Sequence, residues 1–327
     1  MPDSSTSTAA ADFNAASRPF RSARFDWFSF LGRWVTGLAA LLIIAILVVI
    51  LGNIFWVGAP NVSWRFLTTG TATDMFDIEK AGILPMIFGT TARVILMTII
   101  VLPAGVLTAV YLTEYAAAAS LFTRIIRGAV NNLAGVPSIV FGLFGAGFFV
   151  QFLGGRMDAL LQPESAGVVW GKPALLWASA TLAVMTLPVV IVATEEALRA
   201  IPQGLREASL ALGATKLETI ARVVLPQAVP GILTGAILAV GRAAGEVAPI
   251  LFTGAAYYMA DLPGTLHDQF MDLGYHVFIL STQSPNVERT RPLLYATVLV
   301  LLGLTFMLNI VAIFVRGHMR KKMRQLQ

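Results

Sequence analysis

The chain has 327 residues, of which 57% are hydrophobic and 13% are charged, and its mean hydropathy is +0.76. Soluble globular domains carry roughly 25% charged residues because their surfaces are hydrated, so this composition excludes a soluble domain. The absence of cysteine excludes structural disulfides, thiolate metal sites and cysteine nucleophiles. The net charge of +5 does not indicate nucleic-acid binding, because the basic residues are spread between hydrophobic stretches.

Six hydrophobic runs are long enough to cross a membrane, whose hydrocarbon core needs roughly 20 apolar residues in helical form. In chain order they cover residues 34–57, 83–112, 128–153, 173–193, 229–254 and 293–315. The first run is longer than the apolar part of a signal peptide and is interpreted as a retained helix. Because helices satisfy their backbone hydrogen bonds within one segment, the runs predict an all-α, polytopic bundle. Residues 34–327 are therefore expected to form a single transmembrane domain.

Lysine and arginine are distributed unevenly between the two sets of connecting segments. Of the 23 such residues, 15 lie in the two termini and in segments 113–127 and 194–228. The positive-inside rule predicts that these regions are cytoplasmic. Residues 1–33, which are rich in Ser, Ala and Arg, are predicted to form a disordered cytoplasmic arm.

Sequence motifs of catalysis are missing. The chain contains no Gly-x4-Gly-Lys-Ser/Thr, no His-Glu-x-x-His and no Gly-x-Ser-x-Gly string. His267 and His276 lie near Asp268 and Asp272, but their spacing matches no common metal site. The sequence predicts that the chain is not an enzyme and holds no cofactor or metal of its own.

The segment 194–228 is the longest predicted cytoplasmic connection and is interpreted as two amphipathic helices. Apolar residues recur at intervals of three and four at Leu198, Ile201, Leu205, Ala208 and Leu212. Gly213 is predicted to end the first helix, and Pro226 to end the second. From patterning alone, the pair either rests on lipid headgroups or docks a cytoplasmic partner.

The same segment carries a motif with defined spacing. It reads E-A-S-x3-G-x9-V-V-L-P and resembles the E-A-A-x3-G-x9-I-x-L-P loop of permease subunits in ATP-binding-cassette (ABC) importers. Its residues are Glu207, Ala208, Ser209, Gly213, Val223, Val224, Leu225 and Pro226. Stretches 131–142, 194–199 and 241–249 are similar to the phosphate-importer permease of the PstA type, and the resemblance covers roughly residues 81–316. The sequence departs from that pattern at Val192-Ala193, where relatives often carry an arginine.

The resemblance implies a type I importer with a MetI-like permease bundle in the bacterial inner membrane. Its partners would be a second permease subunit (PstC type), two ATPase subunits (PstB type) and a periplasmic phosphate-binding protein (PstS type). ATP and Mg²⁺ would be bound by the ATPase subunits. The motif helix would sit in a groove on the ATPase, so that nucleotide-driven closure moves the bundle.

Three charged residues fall within the predicted spans: Arg93 in the second, and Arg242 and Glu246 in the fifth. Each would cost on the order of 2.5 to 3.5 kcal/mol at a helix centre in lipid, so they are expected to face the bundle interior or water. Arg242 and Glu246 are four residues apart and either form a structural ion pair or line a route for an anion. Arg93 either lines the same route or makes hydrogen bonds between helices.

Alternative functions remain open at this point. An ABC permease for another oxyanion such as sulfate or molybdate, or the sister phosphate permease, has the same general features. An ion-driven secondary transporter would have no reason for a 35-residue docking segment and would show inverted repeats. A membrane scaffold would be insensitive to neutralisation of Arg242 or Glu246. The outer segment 255–292 is predicted either to receive the binding protein or to cover the bundle.

Overall fold

The computed structural model describes residues 27–71, 76, 81–117, 120–161 and 167–324. Of the arm predicted over residues 1–33, residues 1–26 lie outside the described residues. Residues 27–33 form the beginning of the first helix instead. Within the described ranges, β pairing is limited to an isolated bridge between Ala255 and Phe270. The predicted all-α class is therefore confirmed.

The α-helices are numbered in chain order. They are α1 (Trp27–Gly58), α2 (Trp64–Thr68), α3 (Leu84–Val110), α4 (Leu121–Leu133), α5 (Ser138–Gly145), α6 (Gly155–Leu161), α7 (Leu175–Arg199), α8 (Gln203–Ala211), α9 (Lys216–Thr219), α10 (Leu225–Gly245), α11 (Leu273–Thr282) and α12 (Val287–Arg324). Wider π-helical turns occupy Tyr111–Tyr115, Ala146–Gly154 and Ile220–Val224, and a 3-10 turn occupies Ala59–Asn61.

Six helical segments of the described chain are long and apolar enough to cross a membrane, as predicted. They are Trp27–Asn61, Leu84–Tyr115, Ser138–Leu161, Leu175–Arg199, Lys216–Gly245 and Val287–Met319. The chain divides into two compact units, one ending at Asn53 and the other beginning at Ile54. The first contains most of α1, which is apolar on all its faces.

The centre of the second unit is formed by α3, α7 and α10, which pack against one another. Met97, Leu182 and Ala239 are among the fully buried side chains at this junction. A side chain at Gly231 would collide with Ala197, and one at Gly235 would lie 2.8 Å from the Cβ of Ala193. These two glycines therefore allow α10 to approach α7 closely, which is how helices associate within lipid.

The third span differs from its predicted bounds. The apolar run 128–153 is divided, because α4 ends at Leu133 and the membrane-length helix begins only at Ser138. Gly135 and Pro137 lie between them, and proline disfavours helical backbone in the residue before it. α4 is consequently a separate amphipathic helix whose Leu121, Phe122 and Ile125 are exposed.

The fifth span begins and ends earlier than predicted. Pro226 was expected to end the preceding helix, but it lies at the start of α10, directly after a π-helical turn, and the helix continues through it. The π-helical turn Ile220–Val224 joins α9 to α10 in one long helix. This helix stops at Gly245, and residues 248–254 form turns instead of the predicted end of the span. A helix end is thereby placed inside the bundle.

Candidate functional site

Two sharp changes of chain direction isolate α8 from its neighbours. Pro202 precedes α8 with ψ of 135°, and proline cannot continue the helix of α7, so the chain turns there. Gly213 follows α8 with φ of +85°, a left-handed conformation that favours glycine. We refer to residues 200–219 as the α8 loop.

A capping box starts the second helix of the α8 loop. The Thr215 amide donates to Glu218 Oε2 over 2.9 Å, and the Glu218 amide donates to Thr215 Oγ1 over 3.3 Å. These reciprocal bonds satisfy amide groups that have no partner inside the helix. The geometry of the turn is therefore fixed on both sides of Gly213.

The α8 loop exposes several large apolar side chains. The exposed leucines are Leu205, Leu210, Leu212 and Leu217. Leu212, beside the turn, is 89% exposed, whereas Leu198 and Ile201 are buried in the bundle. The predicted single apolar stripe was therefore wrong, because the turn at Pro202 directs its first half inward and its second half outward. Apolar groups gathered on one exposed loop are typical of an interaction site.

The remaining motif residues divide between the surface and the interior of the α8 loop. Glu207 and Ala208 are exposed. Ser209 is half-buried, and its Oγ shares a hydrogen bond of 2.9 Å with Thr219 Oγ1. Leu225 packs against the core beneath the loop, while Pro226 is exposed at the start of α10.

Arg93 is fully enclosed where α3 meets the end of α10. Its Nε donates to Asp272 Oδ2 over 2.6 Å. Its two terminal nitrogens donate to the carbonyl oxygens of Ala243 and Ala244, over 2.8 and 3.1 Å. These carbonyls belong to the last turn of α10, where an α-helix leaves its C=O groups without partners, and a cation there is favourable.

Asp272 completes this arrangement from the other side. It is the N-cap residue of α11, and its Oδ1 accepts from the Tyr275 amide over 3.1 Å. Its Oδ2 also accepts from Thr90 Oγ1 over 2.8 Å. The carboxylate is 0% exposed, as is Arg93, so both charges are neutralised and hydrogen-bonded. Of the two roles predicted for Arg93, this geometry favours hydrogen bonding between helices.

Arg242 and Glu246 lie beside that junction and remain accessible. Their closest atoms, Nε and Oε1, are 3.6 Å apart, and the two side chains are 41% and 24% exposed. Arg242 is in the last turn of α10, and Glu246 is the first residue beyond it. The structure thus brings together the predicted pair and leaves part of the Arg242 side chain exposed, whereas Arg93 is fully buried.

Comparison with known proteins identifies the family. Residues 102–325 match the binding-protein-dependent transport system inner membrane components. This chain belongs to that family. The match covers the α8 loop and both members of the Arg242–Glu246 pair, whereas Arg93 lies outside it.

Two relatives of this permease carry transport names. The probable ABC transporter permease protein YqgI of Bacillus subtilis is 36% identical over 217 residues, which are 66% of this chain and 67% of that protein. The phosphate transport system permease protein PstA 1 of Mycobacterium tuberculosis is 36% identical over 188 residues, 58% of this chain. The matched region spans about half of that relative, 54% of its length.

A solved structure supports the permease fold. A chain of a bacterial alginate ABC transporter, crystallised with an alginate-bound periplasmic protein, aligns with a TM-score of 0.57. The alignment covers 91% of this permease and 98% of that chain, at 14% identity. At this identity the similarity concerns the arrangement of helices.

Sequence reasoning about the permease missed two carboxylates. Asp272 was noted only as a neighbour of His276, and Glu114 was not singled out. For Asp272 a signal existed, because an arginine inside an apolar span, here Arg93, requires an opposite charge nearby. The sequence does not show which of the 18 acidic residues provides that charge.

In the described part of the permease, no group of three or more His, Cys, Asp or Glu side chains is arranged so that it could hold a metal ion. His276 is buried in α11, which is not one of the six spans, and burial lowers its pKa to about 4. Asp268 instead accepts hydrogen bonds from the amides of Gly264 and Thr265 within the loop between α10 and α11.

Proposed function

We propose that this permease is a membrane-spanning subunit of an ABC importer that moves inorganic phosphate into the cytoplasm. The observation that carries the proposal is the α8 loop, an exposed apolar turn fixed by Gly213 and built from the importer motif. Phosphate as substrate is supported by relatives named as phosphate transport permeases and by the accessible arginine at the end of α10.

The partners follow from the same proposal. A second permease of the PstC type would complete the path, two PstB-type ATPases would bind ATP and Mg²⁺, and a PstS-type protein would deliver phosphate from the periplasm. A relative from Mesorhizobium japonicum named as PstC is 31% identical over 229 residues, which supports a pair of similar permeases. The positive-inside rule supports a cytoplasmic position for the α8 loop and both termini, where the ATPases would be.

In the proposed mechanism, movement of the ATPase subunits is transmitted to the permease through the α8 loop. Closure of the ATPase pair would shift α8, which is docked through its exposed leucines. The bundle responds only if the two ATPase states bind α8 with different free energies. Transport then requires that α8 be held at a fixed position relative to the spans.

The Arg242–Glu246 pair would handle the anion. A guanidinium meets two phosphate oxygens with parallel hydrogen bonds. Glu246 weakens this attraction because it occupies one side of Arg242, and a site along a path must release its ion again. A partly neutralised arginine therefore suits transport better than an open cationic cluster.

Uptake into reconstituted vesicles tests the proposal. The complex with all four kinds of subunit should accumulate labelled phosphate when ATP is supplied on the ATPase side, and excess unlabelled phosphate should compete. Competition by sulfate or molybdate instead would indicate another oxyanion. Uptake that follows an ion gradient and ignores ATP would indicate a secondary transporter, and no uptake with normal assembly would indicate a scaffold.

A further inference from the structure

The side chain of Arg206 connects α8 to two of the membrane spans. Its Nη2 donates to Glu114 Oε1 over 2.9 Å, and its Nε donates to the same oxygen over 3.3 Å. Glu114 lies in the π-helical turn that ends the second span. The side chains of Arg206 and Glu114 are 14% and 10% exposed, so the pair is largely shielded from water.

The same guanidinium also binds the end of the fourth span. Nη1 donates to the carbonyl oxygen of Ile201 over 2.8 Å, and Nη2 donates to that of Leu198 over 2.8 Å. Both carbonyls lie where α7 ends and lack the amide partner four residues further along a helix, although the Leu198 oxygen also accepts from the Ile201 amide over 3.3 Å. Arg206 therefore holds the ends of two spans at once through three different nitrogens of its planar fork, whereas lysine has all its donors on a single nitrogen.

Packing alone does not fix α8 to the second span. A cavity of about 870 Å³ is lined on one side by α8 and α9 and on the other by the end of the second span. α8 itself packs mainly on α9 and on the π-helical turn Ile220–Val224. A second polar link joins α9 to the end of the second span, where Lys216 Nζ lies 4.9 Å from the centre of the Tyr115 ring. Polar contacts across a cavity thus replace the apolar packing that joins other elements.

We infer that Arg206, bound to Glu114, is the positioning residue that makes α8 move together with the second and fourth spans. The inference rests on the proposed function, since it concerns how motion of α8 reaches the path. Without the Arg206 bridge, α8 would still bind its ATPase partner through its exposed leucines, and ATP would be hydrolysed, but displacement of α8 would be absorbed in the cavity.

The test measures phosphate taken up per ATP hydrolysed by the whole complex in vesicles. Arg206→Gln is expected to lower this ratio by about tenfold, because several charge-assisted hydrogen bonds are lost, with ATPase activity retained. Arg206→Lys is expected to restore the ratio only in part. Arg199→Gln is the matched control, since Arg199 lines the same cavity but is 54% exposed and pairs with Glu195 within α7.

If the complex with Arg206→Gln does not assemble, Glu114→Ala provides a second test. This substitution leaves the hydrogen bonds from Arg206 to the carbonyls of Ile201 and Leu198 in place. Glu114→Ala should also lower the ratio of phosphate taken up to ATP hydrolysed. The double variant Glu114→Ala with Arg206→Lys should show little further loss of that ratio. A wild-type ratio in Glu114→Ala, or an equal loss in Arg199→Gln, would overturn the inference. Failure of the wild-type complex to transport phosphate would instead refute the proposed function.

Discussion

Arg93 and Asp272 form a buried ion pair with 2.6 Å between Nε and Oδ2, and the pair joins the two helix ends inside the bundle. The arginine binds the last carbonyls of α10, and the aspartate caps the first turn of α11. A helix that stops within an apolar bundle leaves polar groups that need partners. The pair supplies them and so fixes the junction from which Arg242 and Glu246 project.

Removing one member of this pair should be strongly destabilising. We expect Arg93→Met to lower the free energy of unfolding by about 3–5 kcal/mol, because Asp272 is left as an uncompensated buried charge. Thermal unfolding of the detergent-solubilised protein measures this, with exposed Arg65→Met as control. The double variant Arg93→Met with Asp272→Leu should be less destabilised than the sum of the single variants, and an additive result would contradict the pairing.

Neutralising the accessible pair should affect transport more than stability. Arg242→Gln is expected to reduce phosphate uptake by about tenfold, since one bidentate contact to phosphate is lost. Glu246→Gln should strengthen apparent phosphate binding but slow turnover, because Arg242 is no longer partly neutralised. Initial uptake rates over a range of phosphate concentrations separate these effects, and identical behaviour of both variants would refute their assigned roles.

The turn at Gly213 should be required for coupling. Gly213→Val forces a β-branched residue into left-handed backbone at φ of +85°, at a cost of about 1–3 kcal/mol. We expect a correctly inserted protein that hydrolyses ATP with its partners but imports little phosphate. Gly204→Ala is the matched control within α8, since no atom lies near the added methyl group. Normal import by Gly213→Val would contradict the role of the turn.

His276 should make the protein sensitive to acid. Its pKa in the folded state is about 4, below the usual 6.5, so the unfolded chain binds the proton first as pH falls. Stability from the neutral ring is therefore complete above about pH 6.5 and is lost progressively toward pH 4. The measurement is the difference between the unfolding temperatures at pH 7.5 and pH 5. This difference should be smaller in His276→Leu than in the wild type and smaller than in the control variant His267→Leu.

The membrane architecture could be predicted from composition, because a run of about 20 apolar residues is visible in a single sequence. The six spans were predicted in this way, whereas the turn at Gly213 and the neighbourhood of Arg242 and Glu246 were predicted from residue spacing. Two predicted bounds failed at a proline: Pro137 directly precedes a new helix, and the helix continues through Pro226 instead of ending there. The fifth span also ends earlier than predicted, at Gly245.

Long-range partners could not be predicted. Arg93 and Asp272 are separated by 179 positions, and Arg206 and Glu114 by 92. Periodicity reports which face of a helix is apolar but not which other helix covers it. Each of these arginines also binds helix-terminal carbonyls, which are invisible in the sequence because their positions depend on where the helix ends.

Direct contact between the α8 loop and an ATPase subunit is the central claim, and a cross-linking measurement tests it most directly. The chain contains no cysteine, so Leu212→Cys introduces an attachment point that is unique in this chain, at the most exposed leucine of the loop. We predict that a short thiol-reactive photocross-linker at this position captures the ATPase subunit in the assembled complex, with a yield that changes when ATP is bound. Capture of lipid alone, with the ATPase subunit present and active, would contradict the account.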